Sequence, residues 1–230
     1  MEDIIAPVPT KLIEEELSKD VFLRTTNKGG NEIYIVSAKN APNTLREIGR
    51  LREVSFRAAG GGAGVSCDID KYDTMERPYH QLIVWNPEEK EIIGGYRYLH
   101  GCEATFQPNG QPNLTSSHLF IYSDKFIKDY LPYTIELGRS FVRPEYQSSK
   151  KGAKSLYALD NLWDGLGALT LTIPNTKYFF GKARCKRAAK TDRQKYARKP
   201  LKIKGLRALV SQASSFPLDL TALISREKPH

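Results

Sequence analysis

Cysteine is scarce in this chain. Cys67, Cys102 and Cys185 are odd in number and widely spaced, with no CxxC pair and no Cys/His ligand set. That pattern argues against a disulfide framework and a structural zinc, and fits reduced thiols in a cytoplasmic setting. Long apolar runs are missing too: none reaches the roughly 18 residues that a membrane helix needs. The opening residues MEDIIAP lack a basic stretch followed by an apolar one, so no signal peptide is expected. Acid is nearly absent from one segment. Between residues 182 and 207 there are twelve Lys or Arg against Asp192 alone, a charge of +11. The whole chain carries +9, which leaves the remainder at −2.

Two ligand loops are excluded by what they omit. The glycine-rich stretch 58–64 (AAGGGAG) has no Gly-Lys-Ser/Thr after it, so it is not a Walker loop. In 68–79 the sixth position is Asp73 rather than glycine and the twelfth is Tyr79 rather than glutamate, so it is not a calcium loop. Three carboxylates, Asp68, Asp70 and Asp73, stand within six residues all the same. They read either as a solvated acidic turn or as a receptor for a cation or an ammonium group.

What is present suits an ordinary globular chain. Its 230 residues, 40% hydrophobic and 27% charged, allow one domain plus a tail. Residues 1–30 read as an N-terminal extension with an amphipathic segment carrying Leu12, Ile13 and Leu17. Residues 31–181 read as the core. Residues 182–230 form a basic tail that could be a nucleic-acid arm, a membrane-surface segment or a disordered end.

Within the core, 32–36 (EIYIV) reads as a strand. Leu45, Ile48, Leu51, Val54 and Phe56 recur at near-helical spacing on a helix that Asn43 or Thr44 can cap. Arg46, Arg50, Arg52 and Arg57 on it read by default as solvated charge. Residues 80–85 and 91–99 make an antiparallel hairpin, in which Gly94-Gly95 marks a bulge or a close approach. A short helix is expected over 119–130, a second over 153–163 ending near Gly165 and Gly167, and a strand at 178–180. Strands and helices alternate as in the α/β class, with helices across a mixed sheet.

The chain is organised around 133–162. Ile135, Leu137, Phe141 and Val142 make a strand that Arg143-Pro144 stops. Two charged residues, Glu136 and Arg139, sit inside it, where propensity disfavours them. Three apart, they would face opposite ways on a regular strand, and a bulge would bring them toward one face. Ser148, Ser149, Lys150, Lys151 and Gly152 follow, offering hydroxyls, cations and amides ahead of a helix start, where anions bind. A strand carboxylate beside such a turn suggests chemistry on a phosphate-carrying donor.

Four motifs in this order resemble the GNAT-type N-acyltransferases. They are Arg52 with Phe56 (REVSF), Asp70 with Asp73 (DKYD), Arg97 in GYRY, and Glu136 with Arg139 (ELGR). The likeness covers about 33–181 and is nearest the branch of acyl-homoserine-lactone synthases and "hemolysin-like" lyso-ornithine or glycine-lipid N-acyltransferases. It implies a mixed, mostly antiparallel sheet flanked by helices, with a C-terminal part here atypical or incomplete. It implies transfer of a long, often 3-hydroxylated, acyl group from acyl carrier protein to an amino acid's α-amine, with no bound cofactor and with acyl-coenzyme A as a second donor. It places Glu136, Arg139 and Arg97 in catalysis, Arg52, Phe56, Asp70 and Asp73 around the acceptor, and Ser149, Lys150, Lys151 and Gly152 on the pantetheine phosphate. Lys150 stands where coenzyme-A users have the first glycine of their cradle, which weakens the case for a coenzyme-A pyrophosphate cradle and is compatible with a single phosphopantetheine phosphate. The partners implied are acyl carrier protein and a small amino acid, with peripheral contact at the inner face of the membrane and no nucleic acid. A coenzyme-A-dependent N-acetyltransferase on the same fold is the nearest alternative.

Overall fold

Strand β3 (His80–Asn86) is buried along almost its whole length, and this fixes what lies on either side of it. A strand buried on both faces needs a helical layer over each. In this computed structural model, which describes residues 1–147, 153–182, 202–203, 206–211 and 224–225, both layers are present. The chain divides into two units: Met1–Tyr98 with Arg139–Pro174, and Leu99–Gly138 with Asn175–His230.

In the first unit, β1 (Phe22–Thr25), β2 (Glu32–Val36), β3 and β4 (Glu91–His100) pair antiparallel in that order. One face packs Tyr34, Val36, Ile83, Trp85 and Ile92 against Ile13 of α1 (Thr10–Glu16) and Ile48 and Leu51 of α2 (Pro42–Ala58). The first thirty residues therefore contribute to this core. The expected cap of α2 is replaced. Its N-terminal amides, Asn43 N at 2.9 Å and Thr44 N at 2.7 Å, donate to the Glu16 carboxylate of α1. That satisfies donors which a helix start leaves open.

The hairpin β3–β4 makes the close approach expected at Gly94, and a bulge one residue before it. Val84 pairs with Gly94 and Trp85 with Ile92, leaving Ile93 as the extra residue of a bulge. A Cβ on Gly94 would stand 2.5 Å from the Phe141 carbonyl oxygen, so the approach there tolerates only glycine. The glycine-rich loop is tied down. Glu53, fully buried, accepts from Ala63 N, Gly64 N and Arg57 Nε.

The other face is covered by α5 (Ala153–Thr172), which runs nine residues beyond its expected end. Gly165 does not stop it. A Cβ there would lie 2.8 Å from Leu82 Cδ2, so the glycine lets helix and sheet approach.

In the second unit, the first half of β6 (Thr134–Val142) pairs parallel with β7 (Tyr178–Lys182), from Thr134↔Tyr178 to Leu137↔Gly181, where the pairing stops. Strand β7 pairs parallel with β9 (Leu206–Ser211), which pairs antiparallel with β8 (Lys202–Ile203). The helix expected over 119–130 is instead a short strand, β5 (Ile121–Tyr122), followed by α4 (Asp124–Asp129). Ser123 Oγ caps α4 by accepting from Phe126 N, and β5 pairs with β10 (Ile224–Ser225). An aromatic core holds the unit. Tyr122 stacks on Phe126 at 4.9 Å, and Phe180 meets both rings. The sheet is mixed and mostly antiparallel, flanked by helices, as the α/β reading expects. Among the described residues no helix is long and apolar enough to cross a membrane.

Candidate functional site

Arg52 is the side chain that departs furthest from its expected solvated state. It lies on the inner face of α2 with 0% exposure. A charge so placed is costly unless paired and hydrogen-bonded. The partners are there: Arg52 Nη1 donates to Asp73 Oδ2 at 3.1 Å and to the Asp68 carbonyl at 3.2 Å, and Nη2 donates to Gln81 Oε1. Gln81 of β3 returns a bond from Nε2 to Asp73 Oδ1 at 3.0 Å.

The acidic run is not a solvated turn. It opens α3 (Lys71–Thr74), with Asp70 as N-cap accepting from Tyr72 N, and Asp73 Oδ2 accepting from Asp70 N at 3.0 Å. This reciprocal box fixes both carboxylates for two further arginines. From β4, Arg97 Nη1 donates to Asp70 Oδ1 at 2.7 Å and to Asp73 Oδ2 at 3.0 Å. Its guanidinium also lies 5.3 Å from the Tyr79 ring centre, within cation–π range. From β6, Arg139 Nη2 reaches Asp68 Oδ1 at 3.1 Å and Asp70 Oδ2 at 3.4 Å. Arg139 has φ 48°, in the left-handed region that a non-glycine residue seldom adopts inside a strand.

Three arginines and three aspartates thus neutralise one another. The cluster is closed at the Arg52–Asp73 end and opens at the Arg139 and Asp70 end, where about a third of each side chain is exposed. Burial pushes Asp70 up, but Arg97's charge and hydrogen bond, the Tyr72 amide and Arg139 outweigh it and hold Asp70 below its ordinary value. Burial raises Asp68, against the pull of Arg139 and Arg52. Burial lowers Arg52, opposed mainly by Asp73. Asp68 Oδ2 and the Nε atoms of all three arginines are buried with no hydrogen-bond partner.

In the second unit, Glu136 is 3% exposed. Its carboxylate accepts from Thr115 N at 3.2 Å, from Ser116 N at 3.0 Å and from the Ser116 hydroxyl. Ser116 Oγ in turn lies 2.6 Å from the Tyr122 hydroxyl. Glu136 is therefore held in a chain of hydroxyls rather than displayed to solvent.

The sequence-derived set divides as follows. Arg52, Asp70, Asp73, Arg97 and Arg139 come together in one cluster. Phe56 instead packs against the hydrophobic core of the first unit. Ser149, Lys150, Lys151 and Gly152 lie outside the described residues. Gln81, Thr115, Ser116 and Tyr122 escaped sequence reasoning. Gln81 alone had a signal, an amide beside the apolar run 82–85 of its strand.

Residues 51–156 match the model of the acetyltransferase (GNAT) domain. The matched span contains every member of the arginine–aspartate cluster, and Glu136 as well. Over 182 residues, 79% of this chain, the sequence is 65% identical to a glycine N(alpha)-acyltransferase of Bacteroides thetaiotaomicron and 61% identical to one of Phocaeicola vulgatus. Those stretches cover 54% and 56% of the two proteins, so the chain spans about half the length of the curated relatives it matches. No solved structure matches it significantly.

Proposed function

We propose that this chain carries the catalytic domain of an enzyme that joins a fatty acyl group, 3-hydroxylated in the lipid-forming case, to the α-amine of glycine. The donor in this reading is the phosphopantetheine thioester of acyl carrier protein, and the product is an aminolipid of the lyso-glycine-lipid kind. The observation that carries the reading is 65% identity over 182 residues to a protein named for that acceptor.

Each unit supplies groups that this reaction needs. Glycine arrives as a zwitterion. Its carboxylate suits the guanidinium of Arg139 at the open end of the cluster, which offers planar, directed donors. Its ammonium has a pKa well above 7, so a base must take a proton before the nitrogen lone pair can attack the thioester carbon. Glu136 is the base of this reading. Being buried, it works through a relay, and the Ser116 hydroxyl is the adjoining atom. Beyond the last β6–β7 pair at Leu137↔Gly181, β6 continues to Val142. An amide of that stretch is the proposed donor to the developing oxyanion, a contact worth about 3–4 kcal/mol elsewhere. No acyl-enzyme intermediate is needed, since the amine displaces the pantetheine thiol directly.

A second reading, an acetyl-coenzyme-A-dependent N-acetyltransferase, is favoured by the description of the matched domain. One experiment separates the two. The purified chain is incubated with glycine and, in parallel, 3-hydroxypalmitoyl-acyl carrier protein, palmitoyl-coenzyme A and acetyl-coenzyme A, and N-acylglycines are measured by mass spectrometry. Product from the carrier-protein donor supports the first reading. Product from acetyl-coenzyme A alone replaces it with the second, and absence of any N-acylglycine overturns both. Contact with the inner face of the membrane belongs to the same proposal, and flotation with anionic vesicles tests it.

A further inference from the structure

Beyond the cluster and Glu136, the second unit holds a thiol and an imidazole in direct contact. His100 Nδ1 lies 2.7 Å from Cys102 Sγ, at the junction of β4 with the 3₁₀ turn Gly101–Glu103. Cys102 is exposed, whereas His100 is buried and aims Nδ1 at the sulfur. The turn between them is fixed by packing. A Cβ on Gly101 would stand 1.9 Å from the Leu131 carbonyl oxygen, so this backbone is held against its neighbour and only glycine fits. Nothing in the reading of the acyl-transfer site uses either side chain.

We propose that Cys102 is a base-assisted nucleophile that accepts an acyl group from a thioester, with His100 as the base. A thiol is a weak nucleophile until its proton is removed, and an imidazole within hydrogen-bond reach can take that proton during attack. As Cys102 Sγ bonds to the thioester carbon, its proton passes to His100 Nδ1. The bond from that carbon to the donor sulfur then breaks, and the imidazolium returns the proton to the departing thiolate. The products are an S-acylated Cys102 and a free donor thiol, with atoms and charge balanced. Both partners start neutral. Burial raises the thiol, aided by Glu103, and burial lowers the imidazole, with Glu103 opposing. The pair therefore acts by general-base assistance and not as a preformed thiolate.

Half-buried Cys67 is the internal control, since its sulfur donates to the Arg46 carbonyl at 3.5 Å and contacts no imidazole among the described residues. The full chain is treated with palmitoyl-coenzyme A, and separately with iodoacetamide, at pH 7, and adducts are mapped by peptide mass spectrometry. A hydroxylamine-labile acyl adduct is expected on Cys102, with alkylation of Cys102 about tenfold or more faster than of Cys67. In His100→Asn both Cys102 rates should fall about a hundredfold at pH 7, the low end of what a positioned base supplies. At pH 10, where a thiolate forms unaided, the variant should react like the wild type, which a merely structural role would not produce. An unchanged rate in His100→Asn at pH 7, an equal deficit at pH 10, or acylation on Cys67 in place of Cys102 would each overturn the proposal. Should that variant fail to fold, the Cys102 to Cys67 ratio in the wild type decides alone. A chain that acylates Cys102 yet makes no N-acylglycine sustains this inference and sinks only the acyl-transfer reading.

Discussion

Arg52 Nη1 and Asp73 Oδ2 lie 3.1 Å apart, and neither side chain has any exposure. The pair joins α2 to α3, and through Arg97 it also joins β4. Removing one member of a buried pair leaves the other charge stranded, which costs about 3–5 kcal/mol. Asp73→Ala and Arg52→Ala should each lower the urea midpoint by that equivalent or prevent folding. The double replacement should cost less than the sum of the two. Additive losses would show that the two residues are not coupled.

Acid stability should report on Asp70 and Asp68 with opposite signs. The Asp70 pKa is lowered on folding, so its contribution is present above the unfolded value of about 3.9 and is lost as pH falls through the folded one. The Asp68 pKa is raised, so its contribution is full below the unfolded value and is lost as pH rises through the folded one. Urea midpoints from pH 3 to 8 should therefore rise less steeply with pH in Asp70→Asn than in the wild type. In Asp68→Asn they should rise more steeply. Parallel curves in all three would contradict the assignment.

Two glycines of one helix should respond oppositely to alanine. At Gly167 an added Cβ meets nothing within 4 Å, so Gly167→Ala should stabilise by up to about 1 kcal/mol through helix propensity. At Gly165 the added methyl strikes Leu82, so Gly165→Ala should destabilise. Thermal melts of the two variants decide, and a gain at Gly165 would mean that α5 does not seat closely on β3.

Arg139 at the open end of the cluster should matter more for the acceptor than for the fold. Arg139→Lys, which keeps a cation beside the buried Asp68 carboxylate but loses the planar fork of donors, should raise the KM for glycine about tenfold or more while the melting temperature changes little. A normal KM would remove Arg139 from acceptor binding.

Much of this was legible because particular residues broke local rules. Glu136 and Arg139 were visible as charges inside a strand, and Gly94 as a glycine where a strand prefers bulk. Arg52 could not be placed by periodicity, since a helix arginine is usually solvated. Only the tertiary arrival of Asp73 and Gln81 makes its burial tolerable. Gly165 read as a helix end because propensity carries no information about Leu82 on the facing strand. The amides of Thr115 and Ser116 had no signal at all: a loop's backbone donors become a site only when the chain brings a carboxylate to them. The cap of α2 was missed for the same reason, as Glu16 lies 27 residues from Asn43.

The most direct test is the single-turnover rate of N-acylglycine formation by the wild type and by Glu136→Gln, with melting temperatures alongside. The glutamine oxygen can keep the bonds from the Ser116 amide and hydroxyl, its amide nitrogen replaces the oxygen that accepts from Thr115 N, and it cannot take a proton. The variant should stay folded, and its rate should fall by about a hundredfold or more. A folded Glu136→Gln protein acylating glycine at the wild-type rate would contradict the account.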